Sequence, residues 1–378
     1  MAGLSQENLF RDVFSVKTIT DLAARICAVY PEFDSDGFTR DALDRLETLG
    51  FLERSHHITD QLRAYLPDEY QDAIRILLAA LGPELESPGE TVWEAFIVMP
   101  QTAYVSRYGT DDFDLSMHAL YEMTKRLTAE GDLRTFIELD FERAMGYLRR
   151  WVNDSSPHVR RLVSEGTRPR LPLAGRIRRF QDDPQPVIAL LDQLKSDPSL
   201  YVRRSVANNI NDIAKDNPEV AIRTLERWHS DGDANVRWVV RHAARTLVKQ
   251  GHPAIFAILG YEPEPQVEID RLAIAPDPVT VGDEATLRCR IRSTADREQA
   301  LVLDYVVHYV KANGARREKV FKLRNVRLPA GASLSIEKKQ RFADTSGRKH
   351  YPGVHLLELQ LNGRRLGRAE FRVTAIQE

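Results

Sequence analysis

Three short stretches of the chain repeat one combination: an aspartate, a polar turn, and arginines about one helical turn further on. The first is Asp154 with SSPHVRRLVSEG directly after it, the second is DPSLYVRRSVANNI from Asp197 and the third, a looser copy, is DANVRWVVRHAARTL from Asp233. A guanidinium suits phosphate because its donors are fixed in a plane and its charge is permanent. Free backbone N–H groups at a helix start add to that preference. Arg160, Arg161, Arg203, Arg204, Arg237 and Arg241 therefore form a candidate ladder for a row of phosphates, extended by Arg168, Arg170, Asn208 and Trp238. Acids accompany the first copy. Glu165 follows Arg161 by four residues, on the same helical face, and Glu130 is read as ending the preceding helix, with His118, Glu122 and Arg126 on its face. Plainer roles fit the same residues: one arginine per copy can bond a neighbouring turn through the repeated aspartate, and Glu165 can simply pair with Arg161 or Arg168.

The elements that must position these residues are helices. Measured between Val159, Val202 and Val236, the copies are 43 and 34 residues apart, and each follows an amphipathic helix: FERAMGYLRRWV, QPVIALLDQLK or PEVAIRTLERWH. Two helices per unit of roughly 40 residues is a HEAT-like pattern. The aspartates read as helix N-caps, and Pro157 and Pro198 stand near helix starts, where proline is tolerated. Trp151 and Trp228 end first helices and read as core. Upstream, TITDLAARICAVY, TRDALDRLETLGFL, YQDAIRILLAAL and DLSMHALYEMTKRLTAE also have helical spacing, in a weaker repeat register.

The pattern changes at YEPEPQVEIDRL. Beyond Pro263 and Pro265 come seven short runs of period two, with hairpin signals at Asn313-Gly314 and Asn362-Gly363. The expected architecture is a multidomain α and β chain: a HEAT-like α-solenoid over residues 1–262, then an immunoglobulin-like β-sandwich over 263–378. In the sandwich, Arg348 and Lys349 are the leading candidates to extend that phosphate-binding surface, with Arg316, Arg317 and Lys319 beside them in expected loops or turns.

Charge supports a polyanion partner. The net charge of −2 divides into −14 over residues 1–140 and +12 over residues 141–378. No apolar run approaches the roughly 20 residues that span a bilayer, and the N-terminus lacks the basic and apolar regions of a signal peptide. Cys27 and Cys289 are too few for a metal knuckle or a disulfide framework. A cytoplasmic monomer is expected. Walker-type loops, nucleophile elbows and HExxH spacing are absent, and His56 with His57 is an isolated pair in an acidic region. No metal and no cofactor is expected.

The segment from Trp151 to Pro172 runs WVND and continues directly as SSPHVRRLVSEGTRPRLP. Set among HEAT-like repeats, it resembles the alkylpurine DNA glycosylases of the AlkC/AlkD superfamily. The terminal sandwich resembles the immunoglobulin-like domain carried by part of the AlkC branch. The resemblance covers essentially the whole chain. It implies duplex DNA containing alkylated bases as partner, and removal of cationic bases of the 3-methyladenine class without a base-capturing pocket. Two departures stand out. The stretch KRLTAEGDLRTF holds Glu130 and no tryptophan, unlike the tryptophan-rich AlkD branch, and Leu173 stands after RPRLP where an aromatic is expected.

On this resemblance Glu130 and Glu165 become the candidate catalytic acids. A base alkylated at N3 leaves as a neutral molecule, so the reaction needs no strong acid. It needs an anion beside an oxocarbenium-like sugar and a positioned water. Glu122 and Asp154 are reserves. A non-catalytic DNA-binding scaffold of the same fold would keep the arginines without needing those carboxylates among them. A protein–protein adaptor would show apolar residues on that face.

Overall fold

The computed structural model describes residues 13–86, 93–230, 232–345 and 347–376. The chain divides into two compact units, Met1–Asn217 with Asp231–Ala243, and Pro218–Ser230 with Ala244–Glu378.

The first unit is helical. Apolar residues at spacings of three and four bury one face of each helix. It opens with α1 (Val16–Val29), α2 (Ser35–Leu43), α3 (Phe51–Tyr65), α4 (Tyr70–Ala79) and α5 (Met99–Tyr108). The single helix expected across TRDALDRLETLGFL is broken. The chain leaves α2 at Leu43, Arg45 takes a left-handed conformation (φ 56°), and α3 starts afresh behind Gly50, whose N–H donates to Glu53.

Next come α6 (Phe113–Thr124) and α7 (Leu133–Leu139). Helix α6 stops six residues before Glu130, so Glu130 does not share a helical face with His118, Glu122 and Arg126 as the spacing suggested. The Thr124 hydroxyl accepts the Ala129 N–H, and Arg126 folds back onto the Glu122 and Gly82 carbonyls. These side-chain bonds replace the next helical turn and leave Glu130 on a short connection.

The repeated segments form α8 (Phe141–Trp151) with α9 (Pro157–Gly166), and α11 (Gln185–Leu194) with α12 (Leu200–Asp216), the short α10 (Arg178–Asp182) lying between them. The third copy forms α13 (Pro218–Ser230) and α14 (Ala234–Ala243), of which α14 belongs to the first unit. Helix α9 packs on α12 and α12 on α14, through fully buried Val159, Leu162, Val202, Val206 and Val239. Each such side chain contributes about 1.5–3 kcal/mol of burial. Asp154 and Asp197 are not the N-caps expected. Ser156 and Ser199 stand there, and each aspartate accepts its own serine's N–H at 2.8 Å, an Asx turn begun two residues earlier. Asp233 does cap its helix, accepting from Asn235 and Val236.

Among the described residues, the second unit contains α13, α15 (Arg245–Gln250), α16 (Pro253–Ile258) and eight strands. The change from helix to strand falls between Ile258 and Val267. The strands are β1 (Val267–Ala275), β2 (Val279–Thr280), β3 (Glu284–Ser293), β4 (Gln299–Val310), β5 (Arg316–Leu328), β6 (Ser333–Arg341), β7 (Gly353–Leu361) and β8 (Arg364–Thr374). They form two sheets, β1-β3-β6 and β2-β8-β7-β4-β5, around Leu287, Ile291, Leu303, Tyr305, Leu357 and Phe371. Strand β2, two residues long, carried too little pattern to be read. Asn362 and Gly363 turn β7 into β8 with φ of 44° and 82°, the left-handed pair that a two-residue hairpin requires. Gly363 also packs so closely on Gly251 that an added Cβ would stand 2.7 Å from its Cα.

Candidate active site

The site is assembled on α9, on the connection before α7, and on α12 of the next repeat. Arg161 leaves α9 one turn in. Its Nη1 donates to Glu130 Oε2 at 2.9 Å and to Thr128 at 3.2 Å, and its Nη2 lies 3.6 Å from Glu165 Oε2. One guanidinium thus bridges the two acids. Glu165 is 5% exposed. Its Oε1 accepts from Arg168 at 2.5 Å and its Oε2 accepts from the Ser205 hydroxyl at 2.6 Å, which in turn accepts from Ser164. Burial pushes the Glu165 pKa up. The Arg161 and Arg168 charges, with the Ser205 and Arg168 hydrogen bonds, outweigh it and hold the acid below the ordinary carboxylate range. Glu130 is half-buried, and its Oε2 also accepts from Thr128 at 3.0 Å.

Arg168 and Arg170 were expected to reach phosphates from an extended basic loop. The segment is indeed non-helical, but both side chains turn inward. Arg168 pairs with Glu165 and with buried Asp212 on α12, and Arg170 pairs with Asp216. The loop is clamped by Arg134 on α7. Its guanidinium donates to the carbonyls of Gly166, Arg168 and Gly175 at 3.0, 2.8 and 2.5 Å, and burial pushes its pKa down to about 10. Leu173, near the tip of the loop, is 74% exposed.

The arginine ladder divides by register. In each copy the first arginine serves the turn. Arg160 donates to the carbonyls of Asp154 and Ser155 and forms a two-point ion pair with Asp197 of the next copy. Arg203 donates to the carbonyls of Asp197 and Pro198, and Arg237 to that of Gly232. These three, expected as phosphate ligands, hold turns in the structure. Arg161, expected there too, has its side chain on the two acids. The second register position holds Arg161, Arg204 and Trp238. Arg204 and Arg241 are exposed and pair with none of the described acids, while Trp238 stacks on His242 at 4.9 Å. Asn208 lies half-buried on α12, one turn beyond Arg204, and Trp151 and Trp228 are core, as read.

In the sandwich, a cleft of about 760 Å³ is lined by Lys311, Asn313, Arg317, Lys319, Arg348 and Lys349. Arg348 lies over the Tyr309 ring at 4.8 Å and donates to its hydroxyl. Arg316, Arg317 and Lys319 are on strand β5 rather than in a turn. Sequence reasoning missed Thr128, Arg134, Tyr201, Ser205 and Asp212. Only Tyr201 carried a signal: it precedes Val-Arg-Arg in its copy as His158 does in the previous one. Among the described residues no group of acids, histidines and cysteines could hold a metal ion, and no helix is long and apolar enough to cross a membrane.

Fold and site together define a HEAT-like helical-repeat protein with a terminal immunoglobulin-like domain and an acid pair held by arginines. Residues 268–375 match the family model of the C-terminal Ig-like domain of the uncharacterised protein YhaZ. The chain is 34% identical over 366 residues to the YhaZ protein of Bacillus subtilis (strain 168), covering 96% of this chain and 99% of that one. It is also similar to the solved Pseudomonas fluorescens alkylpurine DNA glycosylase AlkC, bound to DNA containing an abasic site analog. That match has 39% identity and a TM-score of 0.89, over 97% of this chain and 99% of the other. The chain belongs to this AlkC/YhaZ family.

Proposed function

We propose that the protein is a DNA glycosylase that hydrolyses the N-glycosidic bond of cationic alkylated purines, the 3-methyladenine class, in duplex DNA. The observation that carries this is the acid pair. A carboxylate as buried as Glu165, kept anionic by two guanidiniums, is a fixed negative charge in a low-dielectric setting, next to a second, more accessible acid. Family membership with AlkC supports the reading.

In the reaction the C1′–N bond breaks and its electron pair leaves with the base, neutralising the base's positive charge. The deficit passes to the sugar, where the Glu165 and Glu130 charges stabilise an oxocarbenium-like C1′. Glu130, with Oε2 bound to Arg161, has Oε1 to take a proton from the water that attacks C1′. The products are the free base and an abasic site. Arg161 sets the spacing of the two acids without neutralising both, since one cation serves two anions. Arg204, Arg241, Asn208 and Trp238 on the helices, and Arg348 with Lys349 on the sandwich, are the proposed DNA contacts.

The test is chromatography of bases released from methylated duplex DNA. Wild type is expected to release 3-methyladenine. Glu130→Gln and Glu165→Gln are each expected to lose roughly 10²-fold or more in rate, with duplex affinity unchanged. Tight duplex binding with no base released would instead make the chain a DNA-binding scaffold.

A further inference from the structure

The Arg161 guanidinium has two acids on its edge and an aromatic ring on its face. Its Cζ lies 4.8 Å from the centre of the Tyr201 ring. Tyr201 is the second residue of α12, beside fully buried Val202, and the His158 ring meets it edge-on at 5.6 Å and 66°. The repeat explains this stack. His158 and Tyr201 each precede Val-Arg-Arg, so packing α12 on α9 brings equivalent side chains of successive repeats together. The ring of the second repeat then lies under the arginine of the first.

Resting on the proposed glycosylase reading, we infer that Tyr201 is a positioning residue: its ring face holds the Arg161 guanidinium in the plane from which it bridges Glu130 and Glu165. An arginine side chain has about 2 kcal/mol of rotamer entropy to lose, and edge contacts to two acids leave rotation out of their plane free. A ring against the face removes that freedom, and guanidinium–aromatic stacking is favourable when partly desolvated. The remaining groups around Arg161 cannot do this. Thr128 meets Nη1 along the edge, Arg168 and Ser205 bond Glu165, and Asp212 pairs with Arg168 and Lys215. The Tyr201 hydroxyl also interacts with Arg161, and Tyr201→Phe separates that contact from the ring face.

The experiment compares full-length wild type, Tyr201→Phe and Tyr201→Leu. It reads single-turnover base release, duplex affinity, and the titration of glutamate carboxyls by carbon-13 NMR in the protein alone. Tyr201→Phe is expected within about twofold of wild type in every readout. Tyr201→Leu is expected to lose about tenfold or more in release rate at unchanged affinity, a change typical of a misplaced catalytic group. Its Glu165 carboxyl is expected to titrate at higher pH, because Arg161 no longer stays beside it. Should Tyr201→Leu not fold, Tyr201→Gln, which keeps bulk but no ring, takes its place. Wild-type release and titration in the ringless variant would overturn the inference, as would equal damage in Tyr201→Phe, or a rate loss with no change in the titration. If wild type releases no base at all, the glycosylase reading fails, while the carboxyl titration still tests the positioning.

Discussion

A carboxylate only 5% exposed stays ionised only if its surroundings return what desolvation removes. At Glu165 the return comes from Arg161, Arg168 and the Ser205 hydroxyl. Its folded pKa lies below the unfolded value of roughly 4.3. Its stability contribution is therefore complete above that value and is lost as pH falls through the folded one. Glu165→Gln leaves two guanidiniums short of an anion and is expected to cost about 3–5 kcal/mol at neutral pH. In urea titrations that penalty should shrink below pH 4. Half-buried Glu130→Gln should lose rate with under about 1 kcal/mol of stability. Equal stability losses in the two variants would contradict the difference in burial.

At the scale of the element, the repeated segment separates arginines that hold helices together from those left for a ligand. Arg160 ties its own turn to Asp197 of the next repeat, with 13% of its side chain exposed. Arg160→Ala is expected to cost about 1–3 kcal/mol, with its salt dependence of DNA binding unchanged. Arg204→Ala should do the opposite: melting as wild type, and a slope of log affinity against log salt shallower by about 0.9, one phosphate contact. Thermal melting and fluorescence anisotropy over a salt series read both effects. In the second unit, Gly363 of the β7–β8 turn and Gly251 at the end of α15 meet backbone to backbone, each with positive φ. Gly363→Ala should destabilise by about 1–3 kcal/mol. A variant as stable as wild type in chemical denaturation would show that the turn relaxes freely.

Across the whole molecule, charge is divided along the chain, −14 in residues 1–140 and +12 beyond. If Arg204, Arg241, Lys349 and their neighbours make about six phosphate contacts, duplex affinity should fall roughly 10³-fold between 50 and 200 mM salt. A flat salt response would leave the exposed cations without that role and favour an apolar, protein-binding surface. Lys349→Ala and Arg241→Ala, one from each unit, are each expected to reduce the slope by about 0.9.

Periodicity is a property of the chain alone, so the sequence by itself determined most of the architecture. Helical spacing marked the repeats, alternation marked seven of the eight strands, and Asn362-Gly363 announced its own backbone conformation. It also pointed to Glu130 and Glu165, through an acid four residues from Arg161 and a segment that resembles a family. What it could not determine is where a long charged side chain spends its charge. Arg160, Arg161 and Arg204 look alike in sequence, and only packing sends the first to a turn, the second between two acids and the third to solvent. The end of α6 was hidden for a similar reason. No glycine or proline marks it, and the hydrogen bonds that replace the next turn come from Thr124 and Arg126 side chains. Ser205, Asp212 and Tyr201 reach the site across 40, 44 and 40 residues of sequence from Glu165, Arg168 and Arg161. Apart from the repeat position that Tyr201 shares with His158, such contacts between separate helices leave no local pattern. They exist only once burial of the apolar faces has stacked one repeat on the next.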